Sequence, residues 1–494
     1  VTVAGLAATF GSGAMTNSIE ELEFTDLILA TGTNTTENHP VIGAKIKRAV
    51  KKNSARLIVI DPREIDLVKY ADIWLRQKPG TDVAVFNGLM NVIIAENLYD
   101  KEYVDKRTEG FDALKTVVEK YTPEYVEKIS GVPGEDLKKA ARMYAGAGRA
   151  AIIYAMGITQ HISVTDNVKS TANLAMLCGN VGIEGGGVNQ LRGQNNVQGA
   201  CDMGGLPNVY PAYQQVANED VRKKFESSWD AKLSSVPGLT LMEIMAAAGS
   251  GRIRTLYIMG ENPLLSDPDL HHVRKELQRL DLMIVQDIFL TETAQMADVV
   301  LPVTAFAEKE GTFSNTERRV QRVRKALEPP GEAKSDWEIL CDISNKMGYV
   351  MSYSSARDIF EEVRQVTPSY AGISYDRLEK EGIQWPCPTA EHSGTKYLHK
   401  DKFSRGLGLF TAIEFISPNE LPDADFPYTL TTGRVLYHYH TGTMTMRTRG
   451  PAERCPESLV EINPLDAEKL GIADGQVVKV TSRRGHVEAK ACIT

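Results

Sequence analysis

The sequence predicts an α/β chain: two Rossmann-like, doubly wound domains related by internal duplication, followed by a C-terminal β-barrel that is incomplete. Three observations predict it. Apolar runs that end in a glycine turn recur in matched order, as buried parallel strands do. The 494-residue length allows about three domains at ~150 residues each. Beyond residue 428 hydrophobicity alternates with period two, which points to a barrel or sandwich.

In the first copy, Asp26-Leu-Ile-Leu-Ala-Thr runs into Gly32-Thr33-Asn34; in the second, Thr255-Leu-Tyr-Ile-Met runs into Gly260-Glu261-Asn262-Pro263. A second strand follows in each, Arg56 to Asp61 and Leu282 to Asp287, at closely similar distances from the glycine. The same step then leads to Ala71-Asp72 and to Ala297-Asp298, and a glycine closes each unit at Gly80 and Gly311. Strand ends in an open α/β sheet form a crevice, glycine lets backbone N–H groups approach phosphate, and a terminal acid accepts from ribose or guanine. Two related nucleotide sites are the expectation. Neither fits a standard fingerprint: no GxxxxGK[ST] occurs, and Gly11-Ser-Gly13-Ala14-Met15-Thr16 lacks the third glycine of GxGxxG.

Between the copies, Ala150 to Met156 reads as another buried strand ending at Gly157-Ile-Thr-Gln160. The loop Arg192-Gly-Gln-Asn-Asn-Val-Gln-Gly-Ala-Cys-Asp-Met-Gly-Gly205 is rich in amides and nearly free of aliphatic side chains. Such a loop makes poor core and offers a guanidinium fork suited to a carboxylate. Residues 320 to 400 read as helical and without chemistry. A Pro-rich passage at Ser417 to Pro427 marks a boundary. His438 and His440 stand two apart on an expected strand, a polar pocket lining rather than a metal pair. The expected divisions are 1–194 and 195–306 for the two dinucleotide-binding domains, 307–417 for a connecting helical segment, and 418–494 for the barrel.

Composition excludes several classes. With 42% hydrophobic and 24% charged residues the chain is globular. No run approaches the ~18 apolar residues of a bilayer span. A net charge of -8 gives no support to a nucleic-acid partner, and the basic clusters Lys45 to Lys52 and Arg318 to Lys325 read as solvated helical faces. Six scattered cysteines without a CxxC pair exclude a zinc ribbon or a ferredoxin-type cluster site in this sequence, and they suit a reducing cytoplasm.

Gly11 to Asn17, the paired Gly-x-Asn loops, Asp61-Pro62-Arg63, the Arg192 to Gly204 loop and Glu308 to Gly311 resemble the catalytic subunit of molybdenum/tungsten formate dehydrogenase, in the DMSO reductase superfamily. The resemblance covers the whole chain. It implies a bis-molybdopterin guanine dinucleotide holding Mo or W, one dinucleotide per Rossmann-like half. The first half would use Gly32, Asn34, Asp61, Arg63, Gly80, Asp82, Gly157 and Gln160. The second would use Gly260, Asn262, Gln286, Asp287 and the stretch around Asp298, with Arg434, His438 and Thr443 capping both. Arg192 would orient formate beside Gln194, giving CO2, two electrons and one proton in either direction. Partners implied are formate/CO2 and iron–sulfur or flavin electron-transfer subunits. No residue of this sequence is expected to ligate the metal. The family's Cys or selenocysteine ligand with its following His, and the cysteines of a 4Fe–4S cluster, would lie upstream of Val1. The chain reads as a fragment, cut near an in-frame selenocysteine codon and expected to be inactive alone. Other readings are a nitrate or polysulfide reductase and a non-catalytic dinucleotide-binding assembly module.

Overall fold

The computed structural model describes residues 1–494. Its first unit is a five-stranded, wholly parallel sheet of β1 (Leu27–Thr31), β2 (Arg56–Ile60), β3 (Ile73–Leu75), β4 (Ala150–Tyr154) and β5 (Val188–Gln190), in the order β3-β2-β1-β4-β5. Strand alternation sorts the core. Leu27, Leu29, Ile58, Ile60 and Ile152 face helices α1 (Thr2–Phe10), α3 (Asp82–Ala95), α4 (Gly134–Ala145) and α5 (Val164–Leu177). Ile28, Ala30, Leu57, Val59 and Ile153 face α2 (Pro40–Asn53) through Ile42, Ile46 and Ala49. Helices on both faces explain why these strands read as continuous apolar runs. Each such Leu, Ile or Val side chain contributes about 1.5–3 kcal/mol by leaving water. Beyond β5 the chain enters the short helix α6 (Val197–Asp202).

The second unit is a three-stranded parallel sheet of β6 (Thr255–Met259), β7 (Leu282–Asp287) and β8 (Val299–Pro302), ordered β8-β7-β6. This repeats the β3-β2-β1 order of the first sheet. Helices α7 (Leu241–Gly249) and α8 (Leu270–Leu277) cover one face through Met245, Val273 and Leu277 against Ile258, Met283 and Val285.

Residues 307–417 are not simply helical. They open with the antiparallel pair β9 (Gly311–Ser314) and β10 (Arg319–Val323), which β11 (Ile383–Gln384) extends, and then hold α9 (Asp336–Lys346) and α10 (Ala356–Val366). The basic cluster Arg318 to Lys325 is therefore mostly strand. Val320 is buried, Arg322 stacks over the Tyr375 ring at 4.1 Å, and Arg318 is itself wholly buried. The Arg318 guanidinium donates to the carbonyls of Met15, Trp385, Thr395 and Lys396, so it ties residue 15 to the 307–417 segment.

Packing also crosses the expected divisions. Ala14, Met203 and Tyr213 share a core with Phe360, Tyr370 and Trp385, while Phe403 and Phe410 join the core of the first sheet. At the C-terminal end, β12 (Leu459–Ile462), β13 (Val477–Ser482) and β14 (Gly485–Ile493) form one sheet, ordered β12-β14-β13. The turn Arg483-Arg484 joins β13 to β14 as a hairpin. Residues 428–458 hold no strand, against expectation. Prolines, glycines and the positive φ of His440 (53°) and Gly442 (83°) interrupt any ladder. His438 and His440 therefore do not share a strand face. No helix is long and apolar enough to cross a membrane.

Candidate functional site

The carboxyl ends of the first sheet gather the residues named for the first seat. Gly32 leaves β1 at φ 54° and accepts from the Gly157 N–H at 3.0 Å. A Cβ on Gly157 would stand 2.5 Å from the Gly32 Cα, so both positions require glycine for close backbone approach. Asn34 caps the helical turn Thr35–Asn38 with no side-chain bond to it, and its Oδ1 is buried without a partner. Asp61 immediately follows β2; burial pushes its carboxyl up to about 6, against the Arg63 N–H that donates to it at 2.9 Å. Arg63 itself pairs with Glu461 of the C-terminal sheet at 2.7 Å. Gly80 and Gln160 line a cavity of about 550 Å³ with His161, Pro418 and Arg484. Asp82 lies behind it, 3.8 Å from His161, its carboxyl pushed up by burial.

The second sheet presents a similar edge with fewer free groups. Gly260 takes φ 59° and donates to the Gln286 carbonyl at 2.8 Å, with open space where its Cβ would stand. Asn262 accepts from Thr293 at 2.7 Å and donates to Glu292 at 2.8 Å. Asp287 ends β7, its carboxyl raised by burial. The Gln286 side chain is engaged at both amide atoms, its Oε1 accepting from the Tyr257 hydroxyl and its Nε2 donating to Asp336.

Asp298 is not in the crevice. Its carboxylate accepts from the Met283 N–H at 2.7 Å, at the amino end of β7 and thus opposite to Asp287. Asp72 does the same for Leu57 at 2.8 Å in the first sheet. The repeated Ala-Asp pair clamps strand register, a role spacing alone does not distinguish from ligand binding.

Arg192 lies beyond the end of β5, separated from it by one residue. Its side-chain Nε and Nη2 are buried without a partner, and strong donors left unpaired beside a crevice are suited to an anionic ligand. Gln194 contacts His440 through its amide. The C-terminal segment reaches both crevices: Arg434 meets Met156 beside Gly157, and Thr443 accepts from Asn262 at 3.3 Å. His438 lends less than expected, since Thr445 and the Cys455 carbonyl occupy both ring nitrogens at 3.0 and 2.6 Å.

Residues 4–346 match the family described as Molybdopterin oxidoreductase, and residues 428–494 match the Molydopterin dinucleotide binding domain. The chain belongs to the molybdopterin oxidoreductases. Similar relatives include the F420-dependent formate dehydrogenase subunit alpha of Methanocaldococcus jannaschii, 55% identical over all of this chain and 73% of that protein. Formate dehydrogenase H of Escherichia coli is 43% identical over all of this chain and 70% of that one. The acetylene hydratase of Pelobacter acetylenicus shares the fold at a TM-score of 0.77 and 22% identity, over 100% of this chain and 72% of that one.

The residues of this molybdopterin oxidoreductase fit a large polar cofactor. Thr31, Thr33, Asn34, Thr35 and both amide atoms of Gln190 are buried and unpaired around the ends of β1 and β5. A phosphate- and pterin-bearing ligand supplies the partners that such groups require. Sequence reasoning missed Thr31, Thr33, Thr35 and Gln190, because a threonine or glutamine ending a strand looks like ordinary strand polarity. It also passed over Asp202, a buried member of the Arg192 loop itself, which accepts from Gln198, Tyr213 and Trp385 at 2.7, 3.0 and 2.7 Å and also from Tyr370.

Proposed function

We propose that this chain is the catalytic subunit core of a formate dehydrogenase. Formate, as HCOO⁻, would become CO2 with release of one proton and two electrons, in either direction. The single observation that carries this is the unpaired Nε and Nη2 edge of Arg192, a two-donor fork matched to two carboxylate oxygens. Support comes from the two formate dehydrogenase relatives that the whole chain matches.

The cofactor is a pair of molybdopterin guanine dinucleotides around Mo or W, which when bound supplies two-electron redox chemistry. The first dinucleotide would be held by Gly32, Asn34, Asp61, Arg63, Gly80, Asp82, Gly157 and Gln160, and the second by Gly260, Asn262 and Asp287. Arg434 and Thr443 would close over them. The duplicated strand order, β3-β2-β1 and β8-β7-β6, supports one seat per sheet. Arg192 would bind the carboxylate and fix its orientation, and the Gln194 amide would lie beside it. Electrons would leave through a 4Fe–4S cluster and electron-transfer subunits. The 55% identical relative is an F420-dependent formate dehydrogenase subunit, which favours F420 as an electron acceptor here. Six free cysteines suit a reducing compartment such as the cytoplasm.

The test is dye reduction by the metal-loaded holoenzyme. Formate should reduce a viologen dye and nitrate should not reoxidise it. Nitrate-dependent oxidation without formate-dependent reduction would replace this reading with a nitrate reductase.

A further inference from the structure

The main chain at Arg192 is held from both sides by residues outside its own loop. Its N–H donates to the Thr316 hydroxyl at 3.0 Å, and the same hydroxyl donates to the Gln190 carbonyl at 2.8 Å. Its carbonyl lies 2.7 Å from His39 Nε2, so Nε2 carries the proton and Nδ1 is left as the lone-pair nitrogen. That Nδ1 is buried and has no partner. Burial holds the ring below the usual imidazole pKa, and the Arg434 charge adds to this, so His39 stays neutral with this tautomer fixed. His39 caps α2, and only the turn Thr35–Asn38 separates it from the Gly32 to Asn34 loop at the end of β1. One short stretch therefore carries both the first nucleotide loop and the group that grips the arginine peptide.

We infer that His39 and Thr316 are positioning residues for Arg192: they fix the peptide from which the substrate guanidinium projects, and His39 links that peptide to the loop of the first dinucleotide seat. Neither need touch substrate. Two hydrogen bonds, one to each side of a single residue, restrict rotation about the Arg192 backbone, and a fork misaligned by a fraction of an ångström loses part of its bidentate grip. The inference rests on the formate reading only for its kinetic part.

The test uses the holoenzyme containing this chain, with His39→Ala, His39→Gln and Thr316→Val, and two readouts. Hydrogen exchange followed by mass spectrometry reports the peptide spanning 190–195, while steady-state kinetics report formate KM and kcat. His39→Ala and Thr316→Val should each speed exchange in that peptide and raise KM about tenfold, with pterin content unchanged and kcat within about threefold. His39→Gln, whose amide can still donate, should restore both readouts. Unchanged exchange in His39→Ala, or failure of His39→Gln to restore it, overturns the positioning role whatever the substrate. Faster exchange in an enzyme that shows no formate oxidation in any form would keep the positioning role and remove formate.

Discussion

Replacing Arg192 by lysine tests the substrate site at the atoms that define it. The Nε and Nη2 nitrogens form one edge of the guanidinium, and both are buried and unpaired. Two carboxylate oxygens can therefore accept two parallel, charge-assisted hydrogen bonds. Lysine keeps the charge but offers a point ammonium on a flexible stem, so one of the two bonds is lost. A hydrogen bond to a charged group contributes about 1.5–3 kcal/mol. At about 1.4 kcal/mol per tenfold change, KM for formate should rise between about 10- and 150-fold. The backbone anchors at Thr316 and His39 remain, so pterin content and thermal midpoint should match the parent. The assay is steady-state viologen reduction over a formate titration. A KM within twofold of the parent, at equal pterin content, would remove Arg192 from the substrate site.

Four other perturbations have definite expected outcomes. Asp61 carries a carboxyl raised to about 6 from an ordinary 3.8, so its ionised form destabilises the folded chain at pH 7 by at most about 3 kcal/mol. Asp61→Asn should raise the melting temperature of cofactor-free protein while lowering the dinucleotide retained after gel filtration. His399, buried against Phe10 and Phe403 near Arg318 and Arg107, titrates at about 3 when folded against an ordinary 6.5. The unfolded chain binds the extra proton between those values, so this stability is complete above pH 6.5 and is lost as pH falls toward 3. About 2 kcal/mol should go between pH 7 and 5 in denaturant titrations, and His399→Phe should flatten that limb. Gly157→Ala places a Cβ against the Gly32 backbone and should cost both stability and cofactor, read by calorimetry and pterin fluorescence. Asp298→Ala should cost about 1 kcal/mol of stability and leave pterin content and KM unchanged, since its carboxylate holds only the Met283 N–H.

Much of the fold was legible where one physical rule governed a stretch. Strands β1, β2, β6 and β7 sit where the apolar runs ended in glycine or aspartate, because buried parallel strands need both faces apolar. The Arg192 loop stood out because amides, glycines and one arginine crowd together there with few aliphatic side chains. Legibility failed where one pattern had two uses. Arg318 to Lys325 has a charge spacing that suits a helix, yet Val320 and the stacked Arg322 make it a strand. Asp298 repeats the spacing of Asp72, and both hold backbone at the far end of a sheet. His39 carried no motif at all, since its partner is a main-chain carbonyl on an element distant in sequence. The boundaries drawn at 194 and 417 likewise follow sequence order, whereas residues 203–213 and 403–410 pack outside the units those boundaries assign.

Two parallel-sheet crevices in one chain should each seat a guanine dinucleotide. Acid hydrolysis of the holoenzyme, followed by chromatographic quantitation of released guanosine monophosphate, counts those seats. Two equivalents per chain are expected, falling toward one in a variant that loses Asp61 and Arg63. One equivalent in the parent enzyme, or none, would contradict the claim.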